Sequence, residues 1–148
     1  MTAPTDCTIC NFIATAQPQQ IVYTDQDWFA GVMDSIQIPG WIVLGMRRHA
    51  LDPMGMNETE AATFGPLLLK LSTAIKTALD AERVYVVGYG EHSQHWHVLL
   101  SSRDAQVPPE HRHAQFWNHR DEYVNPPAAE AAAARIREAL DKTEGVAS

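Results

Sequence analysis

Gln94-His95-Trp96-His97-Val98-Leu99-Leu100 is the stretch from which the rest of the chain is best read. It is β-prone, and alternate residues of a strand point to the same face. Read as a strand, it projects His95, His97 and Leu99 together and sends Trp96 and Val98 to the opposite, packed face. Two imidazoles on one face of an apolar strand predict a functional row more than a pair of satisfied core residues. Gly88-Tyr89-Gly90 stands just upstream. Small residues there let backbone amides approach negatively charged oxygens closely.

Working outward, Arg83–Val87 is a second β-prone run, and before it lies the clearest helix, from about Glu58 to Leu79. Asn57 can cap its first amides, with Glu60 as the partner a capping box requires. Phe64, Leu67, Leu68, Leu71, Ile75 and Leu79 recur at steps of three and four, a stripe for core packing. Pro66 removes an internal hydrogen bond and leaves the first turns open. Further back, Trp41–Met46 is a continuous apolar run, read as a buried strand after the Pro39-Gly40 turn. Gln20–Thr24 and Trp28–Met33 read as two more strands around Asp25–Asp27, and Asn11–Ala16 as a helical turn. The expected fold is α+β, an antiparallel sheet with a long helix packed on it. Residues 1–105 are expected to form that domain. Residues 106–148, with Pro108-Pro109, Pro126-Pro127 and an alanine-rich helix at Ala128–Leu140, are expected to be a loop-rich extension packing on it.

The composition fits one domain with a real core: 148 residues, 45% hydrophobic and 20% charged. The net charge of −7, with no basic patch beyond Arg47-Arg48 and scattered arginines, argues against duplex nucleic acid as a partner. A mononucleotide needs only a few placed donors. No apolar run is long enough for a membrane span, and the first residues lack a basic segment followed by an apolar one. The expectation is therefore a cytoplasmic protein with no membrane partner.

Cys7 and Cys10 form a C-x-x-C pair with three readings: a disulfide, a redox couple or half of a metal site. His49, just past the buried strand, and His95 could complete the third. Two thiolates and two imidazoles suit a closed, four-coordinate structural zinc site. His111, His113 and His119 have no recognised catalytic-zinc spacing. Their segment, His111–Tyr123 with Phe116 and Trp117, reads either as a lid or as ordinary surface loop.

The order of these motifs resembles the histidine-triad superfamily, and within it the bacterial zinc-containing branch. The features that carry the resemblance are C-x-x-C, a strand pair ending in Met33-Asp34, an apolar strand running into Arg48-His49, a long helix and the histidine strand. It spans roughly Cys7 to Arg103. That family alternates three histidines with apolar residues, and the middle one attacks the α-phosphorus of a nucleotide. Ser93, His95 and His97 could fill the three places, or His95, His97 and Leu99. The second register puts Gly90-Glu91 at the usual distance before the motif and Ser102-Arg103 where Pro-Arg is frequent. It also puts a histidine where members with C-x-x-C keep their fourth zinc ligand. On it, the resemblance implies that Cys7, Cys10, His49 and His95 hold a structural Zn2+ and that His97 is the nucleophile. Asp34 is implied to hold the ribose hydroxyls, with Gly90 in the phosphate-binding turn. Leu99 departs from the pattern, since it cannot donate a hydrogen bond or a proton; Ser93, Gln94 or His92 are the candidates to compensate. Nor does Val84–Tyr89 supply the asparagine often found upstream. The implied function is a nucleotide hydrolase or transferase acting on a phosphoanhydride or phosphoramidate of a purine mononucleotide or dinucleotide, in a homodimer. The alternative is a non-catalytic, zinc-stabilised module that binds a nucleotide or a protein.

Overall fold

The computed structural model describes residues 6–146. Its elements in chain order are α1 (Thr8–Thr15), β1 (Ile21–Thr24), β2 (Trp28–Gly31), β3 (Trp41–Met46), α2 (Glu58–Leu79), β4 (Arg83–Val87), β5 (His97–Arg103), α3 (Ala114–Asn118) and α4 (Pro126–Val146), with short 3-10 turns between them. The five strands form one sheet in the order β1-β2-β3-β5-β4, and every neighbouring pair is antiparallel. This is the expected α+β architecture. Among the described residues, no helix is long and apolar enough to cross a membrane.

The central strand explains the unbroken apolar run of Trp41–Met46: every one of its residues is buried, because both faces of the sheet are covered. One face carries Trp28, Ala30, Ile42, Leu44, Met46, Val98 and Leu100, packed under α2 and α4. The other carries Phe29, Trp41, Val43 and Leu99, packed under α1 and the segment holding Val107 and Phe116. Gly45 belongs to this second face, opposite His97 in the register. A Cβ there would stand 2.7 Å from the Phe29 ring and 3.3 Å from the His97 Cβ, so the site face has no room for a side chain at residue 45.

Helix α2 starts as its sequence predicts. The Asn57 side chain accepts from the Glu60 N–H at 2.8 Å, and Glu60 returns the bond to the Asn57 N–H at 2.8 Å. It buries Leu67, Leu71, Ala74 and Ile75, with Phe64, Leu68 and Leu79 at the margins. Pro66 lies inside the helix without ending it. Both Pro66 and Ala62, whose carbonyl loses its usual partner, are exposed, so water can satisfy that oxygen.

Several sequence boundaries shift: β1 starts at Ile21 instead of Gln20, and β2 ends at Gly31 instead of Met33. Helix α1 begins at Thr8 instead of Asn11, because Cys7 caps it: its Sγ accepts from the Cys10 N–H at 3.4 Å. The alanine-rich helix runs from Pro126 to Val146, and Ala129, Ala132, Ala133, Ile136 and Leu140 are buried along it. Most consequentially, the histidine strand begins at His97 instead of Gln94, which leaves His95 and Trp96 on an irregular approach to the sheet. There the Trp96 N–H donates to the Ala50 carbonyl at 2.7 Å, a bond to the loop that carries His49.

Candidate functional site

Capping by Cys7 sets the geometry of the first cluster. It places Cys7 and Cys10 on the same turn of chain, both sulfurs toward residue 95. Nδ1 of His95 lies 3.5 Å from Cys7 Sγ and 3.4 Å from Cys10 Sγ, and Nδ1 of His49 lies 3.5 Å from Cys10 Sγ. All four ligand atoms lie within 4.8 Å of one another. Around a tetrahedral zinc with Zn–S of ~2.3 Å and Zn–N of ~2.05 Å, sulfur and nitrogen would stand about 3.6 Å apart. The donor set therefore fits a zinc ion in both chemistry and spacing.

The surroundings prepare these ligands. His95 is fully buried, and its Nε2–H donates to the Met46 carbonyl at 2.6 Å, which leaves the Nδ1 lone pair for a cation. Burial lowers its pKa, and nearby His49 and His97 lower it further against the opposing Met46 bond. The ring is neutral at pH 7, as a ligand must be. Burial and the adjacent Cys7 push the Cys10 thiol up to about 11, so a cation entering the bare site displaces protons. His49 is held through its neighbour: Arg48 grips the buried Glu60 carboxylate with two nitrogens, at 3.1 and 2.7 Å, and donates to the Gly55 carbonyl at 2.5 Å. That clamp ties the loop after β3 to the start of α2.

His97 opens β5 beside this cluster. Its Nδ1 lies 2.5 Å from the His95 carbonyl oxygen. A carbonyl only accepts, so Nδ1 carries a proton, and in the neutral ring the lone pair is on Nε2. The ring lines a cleft of about 350 Å³ on the second face of the sheet, with Val43, Val87 and Leu99 beside it. Helix α1 contributes Thr8 and Ile9, and the β2–β3 connection contributes Met33, Ser35 and Ile36. The Gly88–Ser93 turn forms another wall, with Gly90 at φ +70°, a left-handed conformation that suits glycine. Trp117 and Arg120 also line the cleft. The lining thus combines aliphatic and aromatic side chains with a turn, two histidines and a guanidinium.

Not every expected residue reaches this cleft. Gly90 and Ser93 do, and the Ser93 hydroxyl is buried with no hydrogen-bond partner among the described residues. Gln94 instead lines an adjoining cavity beside Cys7 and His49. Asp34 is exposed and accepts from Gln20 Nε2 at 2.9 Å, while its neighbours Met33 and Ser35 face the cleft. Sequence reading assigned no role to Arg120 and left Trp117 between a lid and a loop. Their signal was weak, a polar segment without periodicity; the packing of Phe116 against Trp41 at a ring separation of 4.9 Å, with Trp117 beside it, shows where that segment returns.

His111, His119 and Glu122 form a second close group, with ligand atoms within 4.8 Å of one another. Two imidazoles stacked at 3.8 Å with 12° between their planes have parallel lone pairs, and these do not converge on one ion. The group ties its own segment together instead: His111 pairs with the Tyr123 hydroxyl and His119 with Glu122, each at 2.7 Å.

No protein-family profile and no curated protein matches the chain. Solved structures do match its fold. A hypothetical histidine-triad nucleotide-binding protein from Sulfolobus tokodaii superposes with a TM-score of 0.73 at 19% identity, over 93% of this chain and 94% of its own. A zinc-bound histidine-triad family protein from Mycobacterium smegmatis gives 0.72 at 15% identity, over 95% and 97%. The diadenosine triphosphate hydrolase of Plasmodium falciparum gives 0.63 at 12% identity, over 85% and 79%. At 93% coverage, too little is left unmatched to leave out the residues after 105, so the likeness continues past Arg103, where the sequence resemblance stopped.

Proposed function

We propose that this chain, which has the histidine-triad fold, binds a purine nucleotide in the cleft beside His97 and hydrolyses or transfers it through a nucleotidyl-histidine. The observation that carries this reading is the bond from His97 Nδ1 to the His95 carbonyl. It commits Nδ1–H to the backbone and leaves Nε2 as the nitrogen of a cleft-lining ring that can act as a nucleophile at phosphorus. The orphaned Ser93 hydroxyl and the turn through Gly90 supply donors for a phosphate, and the apolar wall suits a base. Asp34 stands near enough in sequence to the lining residues Met33 and Ser35 to reach a ribose from the rim.

Cys7, Cys10, His49 and His95 would hold zinc as a closed structural site. The ion's contribution when bound is to fix those four residues. The link to chemistry runs through the backbone, because the residue that offers Nδ1 to the cluster also offers its carbonyl to His97. The chain is further proposed to work in the cytoplasm as a homodimer, without nucleic-acid or membrane partners.

His97→Ala is expected to lower turnover of a nucleotide phosphoanhydride by about 10⁴-fold or more, with zinc content and melting temperature unchanged. Undiminished turnover by that variant would exclude the nucleophile. A second reading, binding without chemistry, is favoured by Leu99, which is buried in the wall where the family pattern has its third histidine. Saturable nucleotide binding by the wild type with no turnover across a broad panel would select it.

A further inference from the structure

We infer that Arg120 binds the departing group of the substrate, and that the substrate class is nucleotide phosphoanhydrides, whose departing group leaves as an anion, in preference to phosphoramidates. This rests on the nucleotidyl-histidine reading above. In the step that reading describes, a bond forms between His97 Nε2 and the α-phosphorus while the bond from that phosphorus to the bridging atom breaks, its electron pair departing on that atom. Water then adds to phosphorus, its proton passes to solvent, and the P–N electron pair returns to Nε2. An anhydride oxygen departs as a phosphate anion, an acidic group that needs no proton, with a second pKa of ~6. An amine departs only with a proton; Leu99, which follows His97 on its own face of β5, has none to give, and the proton-bearing side chains Ser93 and His92 lie on the neighbouring turn, off that strand.

What an anionic departing group does need is positive charge. Arg120 supplies the one permanent cation of the cleft lining, in a chain whose net charge is −7 and whose cleft also holds a carboxylate, Glu91. Arg120 pairs with no carboxylate among the described residues. Its placement is nonetheless defined. The guanidinium carbon sits 4.4 Å from the centroid of the Trp117 ring, and Nη1–H donates to the Trp117 carbonyl at 3.0 Å. Trp117 in turn lies parallel to Trp41 of β3, with 16° between ring planes. The fork is therefore held on a stack anchored in the sheet, with its remaining N–H groups open to two phosphate oxygens. Position 120 makes good electrostatically what position 99 lacks, from 21 residues further along the chain.

The test measures kcat/KM for a dinucleoside polyphosphate and for a nucleoside phosphoramidate with wild type, Arg120→Gln, Arg120→Lys and His97→Ala, with nucleoside monophosphate binding and zinc content measured on the same preparations. The expected result is loss of about 10²–10³-fold on the anhydride for Arg120→Gln, partial recovery with lysine, and monophosphate affinity within about threefold of wild type. Wild-type turnover of the phosphoramidate should be slower than that of the anhydride by a similar factor. Active wild type with Arg120→Gln within about threefold of it, or equal use of the two substrates, overturns the assignment and leaves the nucleotidyl-histidine standing. Bound nucleotide with no wild-type turnover of either substrate overturns both.

Discussion

The two faces of the sheet are built on different principles. Under α2 and α4 the packing is regular, with aliphatic stripes at helical spacing meeting alternate strand residues. The other face is covered by a two-turn helix, a 3-10 turn, five residues of α3 and irregular chain, and its cohesion comes from aromatic contacts and a Cys/His cluster. A regular face can lose one side chain and stay whole. An irregular face depends on particular atoms, and this is the face that carries the cleft.

The comparison breaks most sharply at the cysteines. Cys10→Ser should remove the bound zinc and lower the melting temperature by about 10 °C or more, since zinc held by such a set contributes ~10–16 kcal/mol in the smallest domains and ~1 kcal/mol moves a domain of this size by ~2–4 °C. Chelated wild type should then melt with the variant. A variant melting within a degree or two of zinc-loaded protein would mean the cluster is not the staple of its face. On the helical face, Leu71→Ala should cost about 2–5 kcal/mol in denaturant titration, because Leu71 is fully buried, while leaving one zinc bound. Loss of zinc in that variant would show that the faces are not independent.

The smallest effect lies where they join, at Glu60. Burial alone would raise its pKa, but the Arg48 hydrogen bond, the Asn57 N–H and the Arg48 charge together hold it below the ordinary carboxylate value. A folded-state value lower than the unfolded one stabilises the fold above the unfolded pKa, and that contribution disappears as pH falls through the folded value. Glu60→Gln should therefore cost about 1–3 kcal/mol at pH 7, with the gap to wild type closing over the acid range below the ordinary glutamate pKa. A gap constant across that range would assign the loss to packing.

Sequence pattern recovered the helical face almost completely, because its information is periodic: the stripe on α2, the capping box at Asn57 and the apolar run of β3 are all local. On the other face, residue identity was legible and placement was not. Cys7, Cys10, His49 and His95 stood out as a donor set, and the structure brings them together, yet the strand assigned to His95 begins two residues later. The cost of that error is physical: an extended strand would not have let the His95 ring turn to Met46 while its carbonyl meets His97. Arg120 was illegible for another reason, since a cation in a polar loop carries no mark of which cavity it enters. The homodimer, the cytoplasmic address and the roles of Asp34 and Gln94 stay where the sequence left them, as proposals.

The strand order has a consequence in time. β3 and β5 are neighbours in the middle of the sheet, but α2 and β4 lie between them in the chain, and the cluster joins Cys7 to His95 across 88 residues. Closing so long a loop carries its entropy cost before any contact offsets it. β1 and β2 can pair as a hairpin early, whereas His95, His97 and the cleft wall they help to form wait for β5 to arrive. A partly folded chain can therefore hold Cys7 and Cys10 together on one turn, but the full four-residue set and the cleft are complete only once β5 is in place.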